Sequence, residues 1–282
     1  MDKRKLEASF FKVLMLLSTA MVVGSLVVVF AVVILKGAPS LSIEMLTQTP
    51  KGGYYLGKEG GILNAIIGSL YLAGGATALS FALSFVITLY LHGYAGKSRF
   101  AGFVRLSLDI LWGVPSIVLG AFIFIIMLYV KARASLLWGI ITIAILELPI
   151  MTRAIDEVMK MVPHKLEEAS YALGSTRLET VLRVMMRQAM PGILMAILLA
   201  FGRGLGDAAS VLFTAGYTDS IPSSLFDPVA TLPLAIFFQL GTPIPEVQQK
   251  AYASGIILLT LVLLLSLLSR FATKKLTRFV IR

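Results

Sequence analysis

The sequence predicts an all-α membrane protein with six transmembrane helices, and three observations carry that reading. Of 282 residues, 57% are hydrophobic and 14% charged, with a mean hydropathy of +0.89, whereas soluble domains carry about a quarter charged residues. Six apolar runs are long enough to cross a bilayer, which takes about 20 residues at a rise of about 1.5 Å each. Lysines and arginines are also unevenly divided between alternate connecting segments, the mark of membrane topology.

The runs follow in chain order. Val13–Leu35 carries no charge; it is too long for a signal-peptide core and no small-residue cleavage site follows it, so it reads as a retained anchor. Gly61–Leu91 is the second span. Leu106–Val130 is the third, with Asp109 near its start, and Ala134–Thr152 the fourth, with Glu147 toward one end. Pro191–Thr218 is the fifth, apolar apart from Arg203 and Asp207, and Ala251–Ser269 the sixth. Ala230–Leu240 is too short to span and contains Pro233, so it is expected to be an interfacial or re-entrant piece. With the N-terminus inside, 18 Lys and Arg fall in cytoplasmic segments and six outside, which places both termini in the cytoplasm. The net charge of +10 is thereby a consequence of topology and does not indicate a nucleic-acid partner.

Composition also removes whole classes of chemistry. The chain has no cysteine and only His92 and His164, so thiolate metal sites, Cys nucleophiles and disulfides are excluded, and no Ser-His-Asp or metal constellation stands out. Gly96-Lys97-Ser98 has the ending of a phosphate-binding loop, but the motif needs a glycine where Leu91 stands. ATP hydrolysis is therefore expected on another subunit, and this chain is read as no enzyme and as binding no cofactor.

Outside the membrane, Lys36–Gly60 is rich in glycine and proline and separates the first helix from the rest, dividing the chain into 1–60 and a five-helix unit at 61–282. Asp219–Lys250 has five prolines and reads as a pinned outer cap. The longest cytoplasmic loop, 153–190, is expected to be helical. Pro163 suits the first position of a helix, Leu166, Ala169 and Leu173 recur at helical spacing, and Gly174 suits its end. Thr176 with Glu179 three residues on is a capping box opening a second helix. A solvated helical hairpin would have these features, and so would a docking element for a cytoplasmic partner. A DNA-reading helix-turn-helix fits poorly beside a transmembrane helix.

Glu168-Ala169-Ser170, three residues, Gly174, nine residues and Val184 resemble the Glu-Ala-Ala loop of ABC-importer permeases, with Ser170 and Arg187 in place of the usual alanine and proline. The resemblance implies a core of MetI-like type whose loop docks on an ATPase through Pro163, Glu167, Glu168, Ala169 and Gly174.

In the fifth run, Arg203 and Asp207 stand four apart and are expected on one helix face, interleaved with Gly202, Gly204 and Gly206. Intramembrane charges are functional by default. A guanidinium matches a tetrahedral oxyanion, and Asp207 is expected to neutralise it in the empty site. A structural ion pair with glycines for close helix packing is the alternative. Asp109 is expected to pair with Arg105 and Glu147 to sit at an interface, both without a transport role.

Gly202–Ala209 resembles the Arg-Ala-x-Gly-Glu-Thr-Ala stretch of phosphate-specific permeases, with Asp207 for the usual glutamate. Gly113–Val118, Leu212–Gly216 and Leu225–Pro233 resemble the same family, and the last stretch resembles its PstA type more than its PstC type. By this likeness the pathway residues are Arg203, Asp207, Gly202, Gly204, Gly206, Pro115 and Ser116. The implied partners are a second permease of PstC type, a cytoplasmic ATPase dimer of PstB type carrying ATP and Mg, and an external phosphate-binding protein of PstS type, at the inner membrane. Carriage of sulfate, molybdate or tungstate, and a non-transporting scaffold, are the competing readings.

Overall fold

A computed structural model describes residues 3–51, 59–96 and 98–276. Gly52, Gly53, Gly57 and Lys97, used in the reading above, lie outside them. Eleven α-helices make the architecture of the described residues, with a two-residue antiparallel pairing of Pro50–Lys51 with Glu59–Gly60 as their β-structure. Five helices are long and apolar enough to cross a membrane, or six if one bent pair forms a single span.

The long helices outrun the apolar runs, because charged residues continue a helix beyond the hydrocarbon. The first run lies inside α1 (Lys3–Gly37); a short α2 (Ile43–Thr47) follows, capped by the Ser42 hydroxyl. The second run becomes α3 (Leu63–Tyr90), continued by a π-helical turn at Leu91–Ala95.

The third run is not one straight helix. It divides into α4 (Arg99–Trp112) and α5 (Ser116–Tyr129), bent by 101°. Pro115 cannot continue the hydrogen-bond ladder and disfavours helical geometry in the residue before it, so Gly113 and Val114 become the corner. The fourth run becomes α6 (Leu136–Lys160), which passes through Pro149 and beyond the predicted end at Thr152.

The loop is helical as expected: α7 (His164–Ala172), α8 (Arg177–Glu179), a π-helical segment at Thr180–Met185, then α9 (Met186–Gly206). Pro163 is the residue before the first turn of α7, not its first residue. The fifth run is a helix only to Gly206. Residues 207–218 fold back into the bundle, where the Ser135 N–H donates to Thr214 O at 3.0 Å and Asn64 Nδ2 donates to Thr218 O at 2.7 Å. Then come α10 (Leu232–Leu240), whose first turn is buried, and α11 (Pro245–Leu276).

α6 sits at the centre, packed against α3 on one side and α9 on another. The buried side of α3 is built of small residues, among them Ala73, Ala76, Ser80 and Ser84, and Gly75 abuts Ile140 of α6, while Gly68 and Ser69 meet the 229–232 segment. Small residues let helices approach closely in lipid, where no hydrophobic drive separates them from solvent. The Thr152 hydroxyl of α6 donates to the Ser84 hydroxyl of α3 at 2.9 Å. Among the described residues α1 leans mainly on α11, and its apolar surface is otherwise largely unburied, as lipid-facing helices require.

Candidate functional site

Three places on this scaffold bear on function: a cleft at mid-depth of the bundle, an ionic cluster at the end that carries α7, and α7 itself.

The cleft is built on α9. Gly202, Arg203 and Gly206 lie on a face open to the surface, whereas Gly204 is buried against α6. The alternating glycines thus serve opposite faces, as a 3.6-residue period demands. The cleft holds about 600 Å³ and is lined by Gly202, Arg203, Leu199, Trp112, Ile150 and, from α11, Val262 and Ser266. Arg203 is exposed and makes no salt bridge among the described residues. A guanidinium on an apolar wall presents five donors in a fixed fork suited to an oxyanion.

Asp207 is not its partner. The helix ends one residue earlier, so Asp207 is extended (φ −83°, ψ 124°), and its Oδ1 accepts the Ser210 N–H at 2.8 Å. Three glycines within five residues weaken the last turn, and an aspartate that accepts the N–H three residues on fixes the turn that follows. The expectation of a shared helix face therefore fails, although the two residues remain sequence neighbours.

The acid packed against this stretch of α9 is Glu147, beneath Gly204. It was expected at an interface near the end of a span. α6 extends through Lys160, which puts Glu147 near the middle of 25 residues, with 0% of its surface exposed. Thr77 Oγ1 of α3 donates to Glu147 Oε1 at 3.4 Å, and Oε2 has no hydrogen-bond partner. Gly204 lies directly over Oε1; a side chain there would collide with it and with Ile143. Pro115 and Ser116 open α5 at the corner of the bent pair. No hydrogen bond or ion pair joins them to Arg203 among the described residues.

The ionic cluster centres on Asp156, buried near the α7 end of α6. His92 Nε2 lies 3.0 Å away, Arg105 approaches through two nitrogens at 3.0 and 3.1 Å, Lys160 Nζ at 2.8 Å and Arg153 at 3.6 Å. Arg153 also bridges to Asp109 at 2.9 Å. Asp109 therefore pairs with Arg153 and not with Arg105, because Arg105 points toward the buried carboxylate. Sequence reasoning missed this cluster, since Asp156 fell beyond the predicted end of the span. Its local signals are Arg153 three residues before Asp156 and Lys160 four after it, each about one helical turn away.

α7 carries the loop residues. Gly174 has φ +83°, a conformation other residues avoid, and lets the Gly174 N–H donate to Tyr171 O at 2.9 Å and the Ser175 N–H to Ser170 O at 3.2 Å. The capping box is present: the Glu179 N–H donates to Thr176 Oγ1 and the Thr176 N–H to Glu179 Oε2. Glu167 is held by His164 Nδ1 at 3.2 Å and the Tyr171 hydroxyl at 3.3 Å. Glu168 and Ala169 are exposed and Leu173 is 87% exposed, so most of the apolar stripe faces away from this chain's own core. Ser170, where the permease loop usually has alanine, is buried with its hydroxyl 2.9 Å from that of Thr180. That contact ties α7 to the helix leading into α9.

Comparisons with known proteins agree with this layout. Residues 90–282 match the family model for the inner membrane component of binding-protein-dependent transport systems. A relative from Haemophilus influenzae, the phosphate transport system permease protein PstA, is 34% identical over 84% of this chain and 83% of its own length. A protein of the same name from Yersinia pestis is 37% identical over 85% and 81%. Among solved structures, an inward-facing MetNI methionine ABC transporter chain superposes with a TM-score of 0.61 at 18% identity, covering 76% of this chain and 95% of that one. A bacterial alginate ABC transporter chain gives 0.68 at 12% identity, covering 99% of both. These two speak for the fold. On the family match and the relatives above 30% identity, the chain belongs to the family of inner membrane components of binding-protein-dependent transport systems.

Proposed function

We propose that the chain is a transmembrane permease subunit of an ATP-driven importer for inorganic phosphate. The observation that carries this is Arg203: an arginine at mid-depth of the bundle, on an exposed glycine-bearing helix face, in a chain whose relatives at 34% and 37% identity are phosphate permeases. The excess of Lys and Arg at the α7 end supports a cytoplasmic placement for that end and for both termini.

In this reading a second permease of PstC type covers the open face of α9, and a PstS-type protein delivers phosphate from outside. A PstB-type ATPase docks on α7, where Glu168, Ala169 and Leu173 are presented to it. Closure of the ATPase dimer moves α7. The Ser170–Thr180 contact and the helix from Arg177 onward pass that movement to α9, which carries Arg203 between access to the two sides. The contact with phosphate is transient, since a conduit must release its cargo.

The test is ATP-driven uptake of radiolabelled phosphate into vesicles holding the reconstituted complex, with sulfate and molybdate as competitors. Arg203→Gln is expected to cut uptake at least about tenfold, the loss of one charge-assisted hydrogen bond, while the ATPase still co-purifies. Unchanged uptake removes Arg203 from the path. No uptake by the wild-type complex overturns the phosphate reading itself.

A further inference from the structure

Glu147 has no part in the reading above, and packing gives no reason for an acid in its place. Its carboxyl is fully buried, with one oxygen in a long hydrogen bond from Thr77 and the other without a partner. An apolar side chain of the same size would avoid the cost of an unsatisfied buried group. Ionisable groups retained inside a membrane bundle mark pathways for ions and protons.

The surroundings of Glu147 lead to the cleft. Ile150, one turn along α6, and Arg203, next to Gly204 on α9, both line it. On the α9 side, the bare backbone of Gly204 packs over Glu147 Oε1. A small displacement of α9, the helix that the proposed mechanism moves, opens the carboxyl to whatever Arg203 holds.

The geometry points to Glu147 as a second anion-contacting group of the Arg203 cleft, one that selects oxyanions carrying a proton. The inference rests on the phosphate reading and adds the basis of selectivity within the membrane. A carboxyl and a protonated oxyanion share one hydrogen bond in either form. The neutral acid donates to a P–O oxygen, and the carboxylate accepts from P–OH. Sulfate has no proton near neutral pH, so it bonds only to the neutral acid and is repelled by the carboxylate. Arg203 attracts both anions, and Glu147 separates them.

The experiment uses the absence of cysteine from the chain. Leu199→Cys places one thiol in the cleft, on a side chain 60% exposed and one turn from Arg203. In the purified complex with its partner subunits, N-ethylmaleimide labelling of this chain is timed in phosphate or in sulfate at equal ionic strength, with ATP trapped and without nucleotide. Phosphate is expected to protect the thiol at lower concentration than sulfate. Adding Glu147→Gln, whose amide donates to either anion, is expected to shrink that preference about tenfold, mainly by improving sulfate.

A preference unchanged by Glu147→Gln overturns the inference, as does equal protection by the two anions, or by neither, in a Leu199→Cys complex that keeps Glu147 and still imports phosphate. If Glu147→Gln fails to assemble, Gly204→Ala decides. A methyl group there would meet Oε1 and push the carboxyl aside, so an unchanged preference in that variant also overturns the proposal. Absence of phosphate uptake by the wild type is a separate result and removes the underlying reading.

Discussion

Asp156 is the residue whose loss is expected to cost the described structure most. Its side chain is 1% exposed and neutralises Arg105, Lys160 and part of Arg153, with His92 as a further partner. Removing one partner of a buried ion pair costs about 3–5 kcal/mol, because the remaining charge is stranded. Here the cations are not fully buried: Arg105, Arg153 and Lys160 are 23%, 26% and 41% exposed, and each can recover some hydration. Asp156→Ala is therefore expected at or just below the lower end, about 2–3 kcal/mol. Asp156→Asn keeps an acceptor but not the charge and is expected to cost about 1–2 kcal/mol. Glu157→Gln, a neighbour 60% exposed that pairs with Lys160, is the control, at less than about 0.5 kcal/mol. Thermal unfolding of the detergent-solubilised complex checks the order Asp156→Ala, Asp156→Asn, Glu157→Gln, most to least destabilised. Should Asp156→Ala melt with Glu157→Gln, the cluster is ornamental and the argument from burial fails.

Two further outcomes follow from the geometry. Leu173→Glu puts a charge on the exposed end of α7 without touching this chain's core; it is expected to reduce co-purification of the ATPase by about tenfold or more while leaving the melting temperature unchanged, and retained co-purification with normal uptake counts against α7 as the docking element. At the other end, the Ser223 hydroxyl, the Ser223 N–H and the Ser224 N–H all donate to Asp227 Oδ2 and hold its carboxyl below the ordinary carboxylate range. A depressed value means that the ionised form stabilises the loop: the contribution is complete above about pH 4, the unfolded value, and is lost as pH falls through the lower folded value. The same loop supplies Asp227 O and Leu225 O to the Leu136 and Leu137 N–H groups that open α6. The protection of the Leu136 and Leu137 amides, taken relative to the intrinsic exchange rate at each pH, is expected to fall on acidification below about pH 4 in the wild type, and Asp227→Asn is expected to remove that dependence; identical profiles would exclude the carboxylate as the cause.

Much of the molecule was legible from local chemistry. Helices in lipid must be continuous and apolar, so hydropathy found their cores. Lys and Arg mark one side of the membrane, and caps are short-range. The Thr176–Glu179 box, the left-handed Gly174 and the exposed stripe at Ala169 and Leu173 therefore lie where the sequence put them. The 101° corner before Pro115 and the end of α9 at Gly206 had local signals too, but hydropathy counts apolar residues and not backbone geometry, so both runs were taken as straight.

The electrostatics belong to the tertiary structure. Arg203 next to Asp207 in sequence suggested a pair, whereas packing turns Asp207 into a turn residue and sets Glu147, 56 positions before Arg203, under the neighbouring Gly204. Arg105 similarly passes over nearby Asp109 for Asp156, and Asp109 takes Arg153. A charge in low dielectric is bound by whichever counter-charge or dipole the fold brings within a few ångströms, and side chains from three helices compete for that place. Sequence spacing ranks partners along one helix only. The sequence by itself determined which segments are apolar enough to enter a membrane and, through Gly174, where the loop helix ends; the tertiary structure decided which charges meet.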